Sequence, residues 1–560
     1  MDSVSHSASS AERLDAIVIG AGFGGMYAIH RLRRAGMRAI GIEAGSNVGG
    51  TWYWNRYPGA RCDVMSLDYS YAFSSDLEQT WTWSENFAAG SEILAYANFV
   101  ADQLDIRSAY HFNTKVAAVE YDDAARRWHV TTAEGAHFEA GYVVMATGPL
   151  SLPKPVDIDG ASDFKGELYR SSRWPQHEVS FAGKRVGLVG TGSTGIQITP
   201  VVADAAKSLA VFQRTPSFTL PMRNHALTPD YVAQIKAHMP SLRASARTTF
   251  GGGVRPTSTR PLFSVSVEER NELMEDAWQR GAMSFLGLFS DVLTNQAAND
   301  VVADFVRDKI STIVEDRETA EALKPHGYPI FARRPCLDTN YYEAFNLPHV
   351  SLVNCLVDPI EAITETGIKT RTQHIELDTI ILATGYDALT GPMLAIDIKG
   401  RSGRTLSEKW ANGPRTFLAM LMEDFPNLFV IGGPEGPSIL ANYIRLDEMN
   451  IDWMMGCISY MQANGYTTVE ATADAEDSWQ KTVTELADRT LYVKADTWYT
   501  GANIPGKPRG FHVYAGGLNR YAETCTNVAS SGYKGCRFTS NQGGHEPVGS
   551  GFVPAPGVAL

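Results

Sequence analysis

Two short glycine runs are the first residues in this sequence whose types and spacing could do chemistry. In AIVIGAGFGGMYAI, Gly20, Gly22 and Gly25 follow an apolar run, and Met26, Ile29 and Leu32 then recur at helical period. A strand feeding a glycine turn and a helix aims backbone N–H groups and the positive helix end at an anion. The first glycine makes the turn and the second lets a pyrophosphate reach the backbone. A following apolar run, AIGIE, ends in Glu43, 23 residues after Gly20, where a carboxylate can bind the ribose hydroxyls of an adenosine. VGLVGTGSTGIQI repeats the device with Gly190, Gly192 and Gly195. Its next strand, SLAVFQRTP, ends without an acid and presents Arg214 and Thr215. A guanidinium there pairs with a 2′-phosphate, so the second turn reads as a site for NADPH rather than NADH. The bland alternatives are a plain strand–helix turn and a solvated arginine at a strand end.

The elements around these residues must carry two dinucleotides, which implies an FAD reduced by a nicotinamide. YVVMATGPL (142–150) and DTIILATGYD (378–387) are apolar strands closing on Ala-Thr-Gly, and they flank the second turn. The expected fold class is therefore α/β, with two Rossmann-like domains and the NADP domain inserted in the FAD domain. The expected boundaries are 14–150 and 388–540 for FAD, and 151–220 and 331–387 for NADP. Residues 221–330 read as a helical insertion, through SVEERNELMEDAWQRGAMSFL and DRETAEALK. The polar lead-in 1–13 is expected to be disordered, and the Gly/Pro-rich tail 541–560 to be flexible.

A chain of 560 residues calls for more than one core. A net charge of -13 has the wrong sign for a nucleic-acid binder. No apolar run reaches the roughly 18 residues of a spanning helix, so membrane insertion is not expected. The six cysteines, at 62, 336, 355, 457, 525 and 536, form no CxxC, and no histidine cluster has metal spacing. That argues against a bound metal, a disulfide scaffold and a disulfide reductase, and fits a reducing cytoplasm. Nothing in the sequence sets the oligomeric state.

Beyond these turns, an ordered set of stretches resembles the Baeyer–Villiger monooxygenases, the FAD- and NADPH-dependent class B flavin monooxygenases. The set is GGTWYWNRYPGARCD (49–63), FKGELYRSSRWP (164–175), GTGSTGIQ, RRPCLDTNYYEAFN (333–346), ATGYD and DTWYTGANIPGKPR (496–509). The resemblance runs from about residue 14 to 540 and implies an oxygen insertion next to a ketone. In that chemistry NADPH reduces FAD and molecular oxygen adds to the reduced flavin. The peroxyflavin attacks a ketone carbonyl, and a tetrahedral adduct rearranges to an ester or lactone. An oxyanionic adduct needs a fixed positive charge, and Arg334 matches the active-site arginine of the family, with Asp63 the carboxylate that orients it. Arg333 stands where the family usually has a lysine on the 2′-phosphate. Arg214 and Thr215 match its other contacts to that phosphate, and Trp498 an aromatic residue near the nicotinamide. Thr51 and Trp52 of GGTW are expected beside the flavin, and Ser193 in the second turn.

The sequence departs from the family at three places. The fingerprint has histidine where Arg170 stands, and a guanidinium there needs carboxylate or carbonyl partners. The segment that usually carries Ile-Glu-Gln-His reads GPSILANYIRLDEMNIDW (436–453), which makes Tyr443 and Arg445 candidates for the substrate pocket, with an exposed helix face the alternative. Residues 541–560 have no counterpart. The competing reading is a flavin N- or S-monooxygenase acting on a heteroatom, which needs no stabiliser for a carbonyl oxyanion. A nucleotide-binding relative without turnover is a third, carried only by Arg170.

Overall fold

The computed structural model describes residues 12–254, 257–540 and 545–547. The run ending in the first glycine turn is the strand Glu12–Ile19, parallel to Ala39–Ile42 on one side and to His137–Met145 on the other. Its residues alternate between two cores. Ala16 and Val18 pack with Met26, Ile29 and Leu32 of the helix Phe23–Arg34, while Ile17 and Ile19 pack with Trp128 and Val130. Burial on both faces explains why this strand reads as an unbroken apolar run rather than an alternating one. The sheet is completed by Tyr110–His111, by the antiparallel pairs of Val116–Asp122, Arg127–Thr132 and His137–Met145, and by Asp397–Lys399 and Leu428–Val430.

The second sheet has five parallel strands in the order Val350–Asn354, Ser208–Gln213, Arg185–Val189, Thr379–Leu382, Glu167–Arg170. All five lie in sequence between the strands His137–Met145 and Asp397–Lys399 of the first sheet. The fold is thus α/β, with one Rossmann-like unit inserted in another. The two connections run side by side, with Lys154 N donating to Gly385 O (3.1 Å) and Asp387 N to Leu152 O (2.9 Å).

The Ala-Thr-Gly strand ends have a direct structural use. Gly20 (φ +108°) and Gly190 (φ +112°) each abut the carbonyl of the alanine. A Cβ would lie 2.4 Å from Ala146 O in the first case and 2.5 Å from Ala383 O in the second. Only glycine tolerates both the positive φ and that approach.

Helices Pro229–Ala246, Val267–Arg280, Gln296–Ile313 and Arg317–Leu323 occupy the stretch expected to be helical. Each starts at a residue whose side chain caps it, Thr228, Ser266, Asn295 and Asp316 respectively. Val267–Arg280 and Gln296–Ile313 share a core around Leu220, Met274, Trp278 and Val302, while Ala320 and Leu323 of the last helix pack in the core of the second sheet with Leu188 and Val211.

Two chain ends differ from expectation. The first strand begins at Glu12, because Glu12 and Arg13 extend the pairing with Phe138 and Glu139. In the tail, His545–Pro547 pairs antiparallel with Cys536–Ser540. The rest of 1–11 and 541–560 lies outside the described residues. Among the described residues no helix is long and apolar enough to cross a membrane, and no His, Cys, Asp and Glu side chains are grouped to hold a metal.

Candidate active site and its two cradles

At the first turn Gly22 precedes the helix Phe23–Arg34, and Gly25 is pressed on Gly20, where a Cβ would come 1.8 Å from the Gly20 carbonyl. Glu43 is buried, with Oε2 accepting from Ala21 N (2.8 Å) and Oε1 from Gly45 N (2.6 Å). Burial raises its carboxyl above the usual range, and these amide donors oppose the rise. GGTW closes over the turn. Gly49 N donates to Ala21 O (2.9 Å), and Gly50 faces Gly22 so closely that a Cβ on Gly50 would lie 2.8 Å from the Gly22 Cα. Thr51 therefore opens the short helix Thr51–Trp54 exposed at the mouth of the turn. Trp52 is buried behind it, donating to Tyr69 Oη (3.1 Å).

The second turn is left open. Gly195 is pinned to the Gly190 carbonyl as its counterpart is, but a Cβ on Gly192 would meet nothing within 4 Å. Ser193 is exposed at the start of the helix Ser193–Ala205, with Oγ 3.2 Å from Cys336 Sγ. Arg214 is exposed just past the strand Ser208–Gln213, and the Thr215 carbonyl accepts from Thr191 Oγ1 (3.1 Å).

Residues 57–63 join the two halves. Tyr57 Oη donates to Gln197 Oε1 (2.9 Å), Gln197 Nε2 donates to Arg61 O (3.0 Å), and Gly59 lies against the Gln197 carbonyl. Asp63, at the end of this segment, grips Arg334 with both oxygens. Arg334 Nε donates to Oδ2 (2.5 Å) and Nη2 to Oδ1 (2.8 Å), while Nη1 donates to Ile439 O. Burial alone would lower the arginine's pKa, but the Asp63 carboxylate outweighs it and raises the value. The guanidinium is thus a permanent charge held on three sides. Tyr492 and Tyr499 pack nearby; burial raises both phenols, and Arg334 opposes the shift. Trp498 is half-buried, with its ring edge-on to Tyr499 at 4.8 Å.

Other expected site residues lie elsewhere. Arg333 stacks on Tyr328 (4.2 Å to the ring centroid) and donates from Nη2 to Asp496 O (2.8 Å), so its contacts run toward the Trp498 segment rather than to Arg214 or Thr215. Tyr443 donates to Gly432 O (2.9 Å). Arg445 is turned into the fold and paired with Glu448 (2.8 Å), its side chain only 10% exposed. The alternative reading of an exposed helix face therefore does not hold at Arg445. Arg170 corrects another expectation. It is exposed and makes no side-chain hydrogen bond or ion pair among the described residues, so its charge is met by solvent instead of a carboxylate.

The structure adds residues that sequence reading passed over. Half-buried Lys154 has its pKa lowered by burial first and by the Arg214 charge next, which puts a second cation in the field of Arg214. The 496–509 stretch is tied down by Lys507 Nζ to Asp387 (2.5 Å) and by Asn503 Nδ2 to Tyr386 O (2.8 Å), and Tyr386 Oη reaches Asn55 (2.5 Å). ATGYD and GKPR both stand out as motifs, but nothing in the chain order pairs Asp387 with Lys507.

A family model described as pyridine nucleotide-disulphide oxidoreductase matches residues 14–239. Cys62 is the sole cysteine in that span, so the match carries the nucleotide-binding architecture without a cysteine pair. A Baeyer-Villiger monooxygenase of Pseudooceanicola batsensis is 40% identical, covering 93% of this chain and 95% of that one. A phenazine N-monooxygenase of Lysobacter antibioticus is 35% identical over 93% of this chain and 96% of its own. Among solved structures, cyclohexanone monooxygenase from Rhodococcus sp. Phi1 bound to NADP+ superposes with a TM-score of 0.93 at 38% identity. It covers 95% of this chain and 100% of that one. Near-full-length identity at this level, together with two glycine turns joined by a clamped arginine, has one reading: the chain belongs to the Baeyer–Villiger monooxygenase family.

Proposed function

We propose that the protein is an NADPH- and oxygen-dependent flavoprotein monooxygenase that converts a small-molecule ketone to an ester or lactone. The observation that carries this reading is the Arg334–Asp63 clamp at the join of the two cradles. FAD fits the first turn. Gly20, Gly22 and Gly25 shape a backbone cradle at a helix N-terminus, Glu43 has lone pairs left for ribose hydroxyls, and Thr51, Trp52 and Asp63 line the far side. NADPH fits the second, where Gly190, Gly192, Ser193 and Gly195 leave open space for a pyrophosphate and Arg214 with Thr215 offers donors to a 2′-phosphate. Arg333 and Trp498 extend that cradle toward Arg334. Bound FAD, reduced by NADPH, supplies the electrons and activates the oxygen.

The rest of the chemistry belongs to this chain's residues. Arg334 holds positive charge where the ketone oxygen becomes negative, and it needs no reorganisation because Asp63 and the Ile439 carbonyl already fix its plane. Asp63 acts as the positioning residue. Tyr443 bounds the substrate space beyond Ile439, and Arg445 acts on that wall from behind. The domain boundaries follow the two sheets, with residues 151–220 and 331–387 binding NADPH. We place the enzyme in the reducing cytoplasm, a reading supported by six unpaired cysteines.

The test is NADPH consumption across a ketone panel, with products identified. Esters or lactones are the expected products. Sulfoxides or N-oxides alone would move the chain to the heteroatom reading.

A further inference from the structure

Asp63 orients Arg334, and a further layer of contacts orients Asp63. Residues 62–66 belong to no helix or strand, so their placement depends on ties to other segments. Those ties run along the stretch 85–90. Gly90 N donates to Ala60 O (2.7 Å), Cys62 N to Ala88 O (3.3 Å) and Ser66 N to Asn86 O (2.8 Å), and Arg61 bridges to Ala89. The stretch 85–90 is sewn in turn to the residues that lead into the helical insertion. Asn86 N donates to His225 O (2.9 Å), and Phe87 is buried in the core of that insertion with Leu220 and Trp278.

Arg61, two residues before Asp63, stands where these layers cross. Its Nη1 donates to Glu85 Oε2 and to Phe87 O. The same Glu85 oxygen accepts from Asn224 Nδ2 (2.6 Å), and Asn224 Oδ1 accepts from Phe87 N (2.8 Å). On the other side, the Arg61 carbonyl accepts from Gln197 Nε2 (3.0 Å), in the helix that follows the second glycine turn. Arg61 therefore joins the first unit to the second directly and to the helical insertion through Glu85.

The Arg61 and Glu85 side chains are 24% and 35% exposed. An ion pair so exposed adds little to stability, so the convergence of contacts on it bears on geometry instead. Charge stabilisation of an oxyanion depends on where the donor stands before the reaction begins, and a small displacement of a preorganised group is expensive in rate.

We propose that Arg61, with Glu85 as its counter-ion and Asn224 as its anchor in the helical insertion, is a positioning residue that fixes Asp63 and through it the Arg334 guanidinium. The inference rests on Arg334 being the stabiliser of the ketone oxyanion. It gives the helical insertion a part in the reaction, exerted through Asn224.

The test compares variants of the full-length holoenzyme, reading ester formation against anaerobic reduction of the flavin by NADPH. Arg61→Met keeps the stem and removes the fork, and the ratio is expected to fall about tenfold. Arg61→Lys keeps a charge for Glu85 and is expected to stay within about threefold of wild type. The same Arg61→Met change made in Arg334→Ala is expected to cost less than about twofold, because a group acting through Arg334 has nothing left to position. A merely structural role would give equal losses in both backgrounds, and that result would overturn the proposal. So would Arg61→Met at the wild-type ratio. If Arg61→Met does not fold, Asn224→Ala replaces it, since it frees Glu85 from the other side, and the same two backgrounds decide. Hydrogen exchange of residues 60–66 reads the displacement without turnover. It should be faster in Arg61→Met than in wild type, and equal exchange would overturn the assignment. Wild type that forms no ester from any ketone would overturn the ketone reading itself, before any variant is compared.

Discussion

A Cβ placed on Gly22 would sit 3.7 Å from the Gly50 Cα, whereas one placed on Gly192 would meet nothing within 4 Å. The two turns share the pinned glycines and the strand end beneath them, yet GGTW covers the first, while among the described residues no atom comes within 4 Å of a Cβ on Gly192. Past the first, the strand ends in a buried Glu43 that takes the amides of Ala21 and Gly45; past the second, it ends at an exposed Arg214. A covered cradle with an internal anchor suits a cofactor that stays. An open cradle with an exposed cation suits one that exchanges at each turnover. Under the proposed function, the same motif would take two kinetic roles through the loops that pack on it, not through its glycines.

The sharpest way to break this picture is at the join between the two. Arg334→Ala is expected to lower ester formation by about 10²–10³-fold, the usual cost of losing a preorganised oxyanion donor. Anaerobic bleaching of the flavin by NADPH should persist, because both cradles remain. Product assays set beside anaerobic spectra separate the two steps. Normal ester yield would remove Arg334 from the chemistry. Because Asp63 would be left without its partner, Arg334→Lys is the companion variant: charge retained, two-pronged grip lost, activity in between.

The exposed cation comes next. Arg214→Ala removes a charge-assisted contact worth about 1.5–3 kcal/mol, so the KM for NADPH should rise roughly 10–100-fold while that for NADH barely moves. Lys154 softens the loss, since it keeps a positive charge in the same field. A parallel rise for both nucleotides would mean that Arg214 does not read the 2′-phosphate.

Gly192→Ala tests the openness itself. The backbone at Gly192, φ −80° and ψ −172°, suits any residue, and no atom stands in the way, so flavin content and thermal stability should match wild type. The methyl would still protrude into the space for a pyrophosphate, and an overpacked contact of about 1–2 kcal/mol raises the KM for NADPH about tenfold. Gly22→Ala is the mirror experiment, and its expected readout is lowered flavin content. If both substitutions shifted only NADPH, the assignment of permanent and exchanging sites would fall.

Much of this was legible before any coordinates. Strand, glycine turn and helix are local, so GAGFGG and GTGSTG announce themselves, and the motif set placed Arg334 and Asp63 together across 271 residues. Contacts between segments that share no periodicity were not legible. Docking of Tyr57 on Gln197, the Lys507–Asp387 tie and the charge of Lys154 near Arg214 are all set by how the sheets meet. The Tyr443–Asn464 helix shows the limit most clearly. An arginine and two acids in its first turns suggest a solvated face, yet Arg445, Asp447 and Glu448 all point inward. A helix covered on several sides cannot be told from an amphipathic one by its charges when they are paired inside.

Arg170→His should have the smallest effect. Arg170 ends the strand Glu167–Arg170, opposite Leu382 and one residue short of the Ala-Thr-Gly at 383–385, a position from which it could have tied the second sheet to the connection between units. Its side chain does not do so, being exposed and without a hydrogen bond or ion pair among the described residues. The ties from this stretch to the first unit come from its neighbours. Arg173 lies over Trp54, 4.3 Å from the ring centroid, and Gln176 Nε2 donates to Tyr53 Oη (2.9 Å). A cation–π contact of this kind contributes about 0.5–1 kcal/mol, and substitution of an unpartnered surface residue usually stays within about 0.5 kcal/mol. Arg170→His should therefore leave the ratio of ester formed to NADPH consumed unchanged, while Arg173→Ala lowers it. A gain in that ratio for Arg170→His would mean that a histidine finds at position 170 a partner the arginine lacks, and that the fingerprint residue couples the two cradles through the second sheet.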